Sequence, residues 1–180
     1  MKFKCEKGSK NYYYEFLYVN TYYNKFMNNK KLRAKNMMNH FISILLLSIV
    51  FCSLFIVNIC FDSVDIFDYI FLGFFGSYIL LISLTMLRYR KGCKLYLNNK
   101  TENTIIIDEE GITSSSNKYD LLIKWDNISF ILVNKYSICL MPKTLPNINL
   151  SIPVEYKDKI IKGLQKYNKE ELLLDNSLLY

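Results

Sequence analysis

His40 is the only histidine in the 180-residue chain, and the five cysteines, Cys5, Cys52, Cys60, Cys93 and Cys139, include no C-x-x-C pair. Tetrahedral zinc sites draw on clustered Cys and His, so this distribution argues against one. A Ser/His/Asp or Cys/His nucleophilic set cannot be built round one histidine at the edge of an apolar run. Asp108, Glu109 and Glu110 are neighbours in a turn and read as solvated charge. The six glycines are scattered; only Gly73 and Gly76 are close, and both fall inside an apolar run, so no phosphate-cradling loop is expected. The chain reads as a non-enzyme, without cofactor or metal.

The residue types that do cluster are cations, and they flank grease. Residues 41–61 (FISILLLSIVFCSLFIVNICF) carry no charge, and residues 66–87 (IFDYIFLGFFGSYILLISLTML) carry only Asp68. At about 1.5 Å per residue each run spans roughly 30 Å as a helix, the thickness of a bilayer's hydrocarbon core. A helix pairs every backbone polar group within itself, which lipid demands. Lys30, Lys31, Arg33 and Lys35 precede the first run; Arg88, Arg90, Lys91 and Lys94 follow the second. The joining residues 62–65 contain no Lys or Arg. By the positive-inside rule this predicts a transmembrane hairpin in the cell membrane with both chain ends cytoplasmic. A buried soluble pair would seldom lack charge over twenty positions, and forty polar residues ahead of the first run disfavour a cleaved signal peptide. The same cations could bind anionic headgroups at about 1 kcal/mol each, or serve topology alone.

The net charge of +7 is local: residues 1–40 carry +7, residues 41–87 carry −3 and residues 88–180 carry +3. The weak, acid-interspersed charge of the last piece speaks against nucleic-acid binding. Three parts follow: a cytoplasmic N-terminal strand and aromatic helix (1–40), the hairpin (41–61 and 66–87), and a cytoplasmic β-rich domain (88–180).

In the first part, residues 2–6 alternate as a half-buried strand, and Ser9 or Asn11 can cap a helix. Tyr14, Tyr18, Tyr22 and Phe26 form an i, i+4 ladder. That helix either lies on the inner leaflet or packs on the cytoplasmic domain. Within the hairpin, Asp65 and Asp68 have N-cap and N3 spacing at the start of the second helix. Gly73/Ser77 and Ser48/Cys52 are small-xxx-small steps that suit close packing, within one hairpin or between chains.

After a basic turn at 88–92, short runs with turn signals predict strands at 94–98, 104–108, 112–116, 121–124, 127–133, 136–141 and 148–152. They form an antiparallel sheet, curved or barrel-like. Gly111 is expected to supply a positive φ in the 109–111 turn, and Asn134-Lys135 to form a hairpin turn. A helix starting near Pro153 presents Ile160, Ile161, Leu164 and Tyr167 on one side. The tail 170–180 either extends it or frays. Trp125, the only tryptophan, is expected as a core anchor between strands, with Asp126 as a turn acceptor.

The aromatic stretch 11–26, the TIIIDEEGIT turn at 104–113, and KWDNI at 124–128 with Ile152-Pro153 resemble the YcxB-like proteins of Gram-positive bacteria. Trp125, Ile128 and Pro153 carry the last of these motifs. The resemblance implies an α+β membrane protein: a two-helix transmembrane hairpin plus a small antiparallel cytoplasmic domain, similar to bacterial pleckstrin-homology-like folds and closed by a C-terminal helix. It implies no activity. The expected role is a membrane-anchored binding or scaffold module with a protein partner or a second copy of itself. The alternative is a small regulator or immunity-type protein acting on another membrane complex through its helices.

Overall fold

In the computed structural model, residues 1–61, 65–99, 103–116, 120–144 and 150–177 are described, with Phe61 as backbone only. The joining residues Asp62, Ser63 and Val64, Lys100 of the turn at 98–100, and residues 145–149, which hold Pro146 and the start of the strand expected at 148–152, lie outside them. The chain is α+β and divides into two compact units: residues 1–36 with 96–180, and residues 37–95. The first unit is therefore discontinuous, with the second inserted in it.

The first unit is built on two four-stranded sheets. One has the order β1-β2-β3-β4, from Lys2–Cys5, Asn103–Ile107, Gly111–Ser115 and Asp120–Lys124, all antiparallel. The other contains β5 (Ile128–Val133), β6 (Ser137–Pro142), β7 (Ser151–Pro153) and β8 (Leu173–Asp175) in the order β7-β6-β5-β8. Its β5–β8 pair is parallel, so the second sheet is mixed rather than wholly antiparallel.

Burial follows the strand period of two: β1 reads exposed-buried-exposed-buried, so Phe3 and Cys5 enter the core while Lys2 and Lys4 stay outside. Those two join Ile105, Ile107, Ile112, Ile123, Ile131 and Leu140 in one cluster fed by both sheets. The C-terminal helix α5 (Lys157–Lys166) closes this core with Ile160 and Leu164, both fully buried. Its end at Asn168 takes a left-handed conformation, φ 52°, which turns the chain off the helical path. The tail then neither extends the helix nor frays over residues 170–177. It makes a 3-10 turn at Glu170–Leu172 and enters the sheet as β8.

Two helices precede the second unit in sequence, α1 (Lys10–Thr21) and α2 (Tyr23–Asn28). Ser9 Oγ accepts from the Tyr12 N–H at 3.2 Å and caps α1. Tyr14 and Phe26 are fully buried, and the Tyr12 hydroxyl donates to the Ser151 carbonyl of β7 at 2.9 Å. The Tyr23 hydroxyl donates to the Pro142 carbonyl of β6. The aromatic ladder thus packs on the sheet domain, which decides between its two expected resting places.

Helices α3 (Met37–Phe61) and α4 (Ile66–Asn98) form the second unit up to Leu95. Residues 94–98 are the end of α4 and not a strand. Lys and Leu favour the helix, and Tyr96 stacks on Tyr13 at 5.1 Å between ring centres, a contact that overrides the short alternation. At the start of α4 the Asp65 N–H donates to Asp68 Oδ2 at 3.2 Å, one half of the capping box that N-cap and N3 spacing suits, while Asp65 Oδ1 accepts from the adjacent Ile66 N–H at 2.6 Å. The helices meet through aromatic pairs: Phe41 with Tyr89, Phe51 with Phe75, and Phe55 with Phe71, at 5.7, 5.6 and 5.4 Å.

Gly111 has no positive φ. The turn before it is made by Asp108, whose Oδ1 accepts from the Glu110 and Gly111 N–H groups at 3.0 and 3.1 Å. The position needs glycine for space: a Cβ there would lie 2.2 Å from the Ile123 carbonyl oxygen.

Candidate functional site

Two separate candidate features stand out: the apolar surface of α3 and α4, and the cations that adjoin those helices in sequence. Both helices are long and apolar enough to cross a membrane. Among the described residues, every exposed large apolar side chain except Leu122 lies on α3 or α4. A soluble core helix would bury one stripe and show polar residues elsewhere; here Leu46, Leu54, Phe67, Phe74, Leu80 and Leu84 are all exposed.

The two small-residue steps differ in surroundings. Ser48 is buried and its Oγ donates to the Ile44 carbonyl at 3.0 Å. Gly73, Gly76 and Ser77 are exposed, and a Cβ added at either glycine would meet nothing within 4 Å. The interface inside the hairpin is therefore aromatic, and the Gly73/Ser77 face lies outside it.

No protein-family model, curated protein or solved structure matches this chain.

Lys30, Lys31, Arg33 and Lys35 belong to the first unit, and Arg88, Arg90 and Lys91 to the second. All seven are exposed, and among the described residues none forms an ion pair. Trp125, Ile128 and Pro153 sit elsewhere, in the folded core of the first unit. Trp125 occupies a 3-10 turn at Trp125–Asn127, joining the two sheets instead of lying within a strand. Its indole N–H donates to the Asp108 carbonyl at 3.0 Å, and its ring lies 6.4 Å from that of Tyr167. Ile128 is fully buried beside it at the start of β5, and Pro153 is buried at the end of β7. These three are packing residues.

Sequence reasoning missed a polar cluster under α1. Glu15, 2% exposed, accepts through Oε2 from the Tyr136 N–H at 2.9 Å and the Ser137 hydroxyl at 2.7 Å. Asn134 is fully buried nearby and donates to Ser137 Oγ at 3.3 Å. The available signal was Glu15 itself, the one acid in an aromatic helix, where burial demands partners. Burial pushes the adjacent Cys139 thiol up to about 11, with the Glu15 carboxylate adding to the effect against hydrogen bonds shared with Ser137 and Ser151. Burial likewise pushes Cys5 up to about 12, aided by Glu155. Such thiols stay protonated near neutrality and are poor nucleophiles.

A cleft of about 90 Å³ beside β1 is lined in part by Cys5, Lys7, Tyr12, Tyr96, Asn103 and Ser151. Sites for organic ligands run to about 300 Å³ or more, so this one accommodates only a small group. Among the described residues no three His, Cys, Asp or Glu side chains converge as metal ligands.

Proposed function

We propose that this chain is an integral membrane protein whose α3 and α4 cross the cell membrane as a hairpin. They tether a non-catalytic, cytoplasmic binding module made by the first unit. The observation that carries this reading is that, Leu122 apart, the exposed large apolar side chains among the described residues lie on two membrane-length helices inserted between paired strands β1 and β2. Because β1 and β2 pair in one sheet, the chain must enter and leave any membrane on the same side, and two crossings satisfy that. The cations at 30–35 and 88–91 support assigning that side to the cytoplasm. Two sheets sharing a core closed by α5 support a relation to YcxB-like proteins and pleckstrin-homology-like domains. The module's ligand is a protein or peptide, or a lipid headgroup.

Extraction of isolated membranes at high pH tests the tether: the protein stays with the bilayer and a reporter fused after Tyr180 reads cytoplasmic. Release into the wash, or labelling of that reporter from outside intact cells, overturns the reading. Mild crosslinking in intact membranes followed by purification then captures the partner of the module.

The exposed Gly73, Gly76 and Ser77 face favours a second reading, a small regulator or immunity-type protein whose hairpin acts on another membrane complex. Replacing residues 41–87 by an unrelated hairpin separates the two. Activity kept after the swap belongs to the module, and activity lost belongs to the helices.

A further inference from the structure

We propose that residues 30–35 form a preset cationic rail for the phosphate groups of anionic lipid headgroups, and that Asn176 is its positioning residue. The inference rests on the reading that α3 and α4 cross a membrane. Charges that only set topology can sit in a loose linker; these are carried on a held backbone.

Burial along the segment alternates. Lys31, Arg33 and Lys35 are exposed, Leu32 between them is half-buried and Ala34 is 2% exposed. That is the pattern of extended chain, which aims alternate side chains to opposite sides, about 7 Å apart along each side. Three cations thus share the outward side while the intervening residues anchor the inward one.

The backbone is held from several directions. The Leu32 N–H donates to the Asn29 carbonyl at 3.0 Å, and the Lys31 N–H to Asn29 Oδ1 at 3.1 Å, making a turn at the start of the rail. Asn176 Nδ2, from the far end of the chain, donates to the carbonyls of Lys30 and Leu32 at 3.1 and 3.2 Å. Asn176 is itself 7% exposed and fixed by its N–H to the Val133 carbonyl at 2.9 Å. Asn36 Nδ2 donates to Asn11 Oδ1 at 3.3 Å at the other end.

The charges are unspent. None of Lys30, Lys31, Arg33 and Lys35 forms an ion pair among the described residues; Lys30 alone has a partner, its ammonium lying 5.4 Å from the centre of the Phe130 ring. Arg33 offers a planar fork suited to two phosphate oxygens, and the lysines offer point charges on either side. Chain connectivity sets the rail two residues ahead of Met37, the first residue of α3. A membrane crossed by α3 therefore presents its headgroup layer there. A held rail loses less freedom on binding than a free linker does, so it gains headgroup preference as well as attraction.

The test uses the full chain in nanodiscs of phosphatidylcholine with or without phosphatidylserine, released into native mass spectrometry to count the lipid retained. Wild type retains phosphatidylserine in preference to phosphatidylcholine. Each cation replaced by Gln weakens that preference by about fivefold, and the joint Gln replacement of all four leaves only what Arg88, Arg90, Lys91 and Lys94 contribute. Asn176→Ala weakens it by roughly fivefold, the equivalent of one displaced cation. Leu164→Ala, a core truncation remote in sequence from the rail, lowers thermal stability and leaves the preference intact. An unchanged preference in Asn176→Ala or in the four-Gln protein overturns the proposal. So does full competition by inorganic phosphate, which marks a site for free anions instead. A wild-type chain that inserts but shows no preference defeats this inference alone, whereas a chain that never enters the nanodisc defeats the membrane reading beneath it.

Discussion

Phe3 lies directly opposite Ile105 in the antiparallel ladder of β1 and β2, and the whole of α3 and α4 intervenes between them in sequence. Two residues on either side of an apolar hairpin are thus neighbours in one sheet. Directly opposed residues in such a ladder have Cα atoms about 4.5 to 5.5 Å apart, inside the range a disulfide can bridge. The double substitution Phe3→Cys, Ile105→Cys is expected to crosslink in membranes under mild oxidant. Mobility on non-reducing gels reads the result, and failure to crosslink while each single variant folds would sink the even-crossing topology.

Glu15 joins α1 to the start of β6 through two hydrogen bonds, one from the N–H of half-buried Tyr136 and one from the buried Ser137 hydroxyl. Glu15→Ala strands both and is expected to cost about 2 to 4 kcal/mol. Glu15→Gln keeps an acceptor oxygen of the same reach and costs about half as much. Thermal unfolding in detergent distinguishes them; equal losses would show that the carboxylate only fills space.

Gly111→Ala forces a Cβ to within 2.2 Å of the Ile123 carbonyl oxygen, an atom of the neighbouring backbone that cannot swing aside. The expected loss is about 2 to 3 kcal/mol, at the upper end of ordinary substitutions. Gly73→Ala meets open space instead and leaves stability within about 0.5 kcal/mol. A Gly111→Ala protein as stable as wild type would contradict the close approach of β3 and β4.

Asp175 in β8 pairs with Lys157 of α5 at 2.5 Å and accepts from the Ser177 N–H and hydroxyl. Partial burial acts to raise its pKa, but the bonds from Lys157 and Ser177 outweigh that and hold it below its ordinary value of 3.8. A depressed carboxyl adds stability above that value and loses it as pH falls through the lower native one. Asp175→Asn is expected to remove less than about 1 kcal/mol at neutral pH, since the pair is partly solvated, and to flatten the acid limb below about pH 4. Unfolding curves across that window decide it; an unchanged acid limb counts against the pairing.

Cys5 and Cys139 titrate in the opposite sense. Their native pKa values of about 12 and 11 exceed the ordinary 9.0, so the unfolded chain sheds these protons first. Stability falls as pH rises from about 9 toward 12, and below that window both thiols resist alkylation in the folded protein. Rapid labelling of either at neutral pH in the folded chain would refute their burial.

Period and spacing carried much of the fold. The alternation in β1, the Asp68 carboxylate on the Asp65 N–H and the apolar side of α5 are all legible because each depends on neighbours within one turn or one strand. Residues 94–98 misled, since their alternation is short and a distant contact, Tyr96 on Tyr13, decided for helix. Gly111 does follow a turn, but what requires glycine there is crowding from β4 and not a positive φ. The tail was illegible because its destination, a parallel seat beside β5, depends on a partner strand some forty residues upstream. Of the candidate site, the cations and the grease were plain in the sequence, while the clamp from Asn176 was invisible to any local rule.

The pairing of β1 with β2 also sets an order of events during synthesis. Lys2 must wait for Ile106, about a hundred residues later, which at roughly 5 to 20 residues per second means on the order of 5 to 20 s on the ribosome. Through that interval the nascent strand is an orphan edge, and its sheet cannot close until both apolar helices have been synthesised. A strand this early in the sequence is seated only once both helices have been made, so the closing of its sheet is timed by their synthesis.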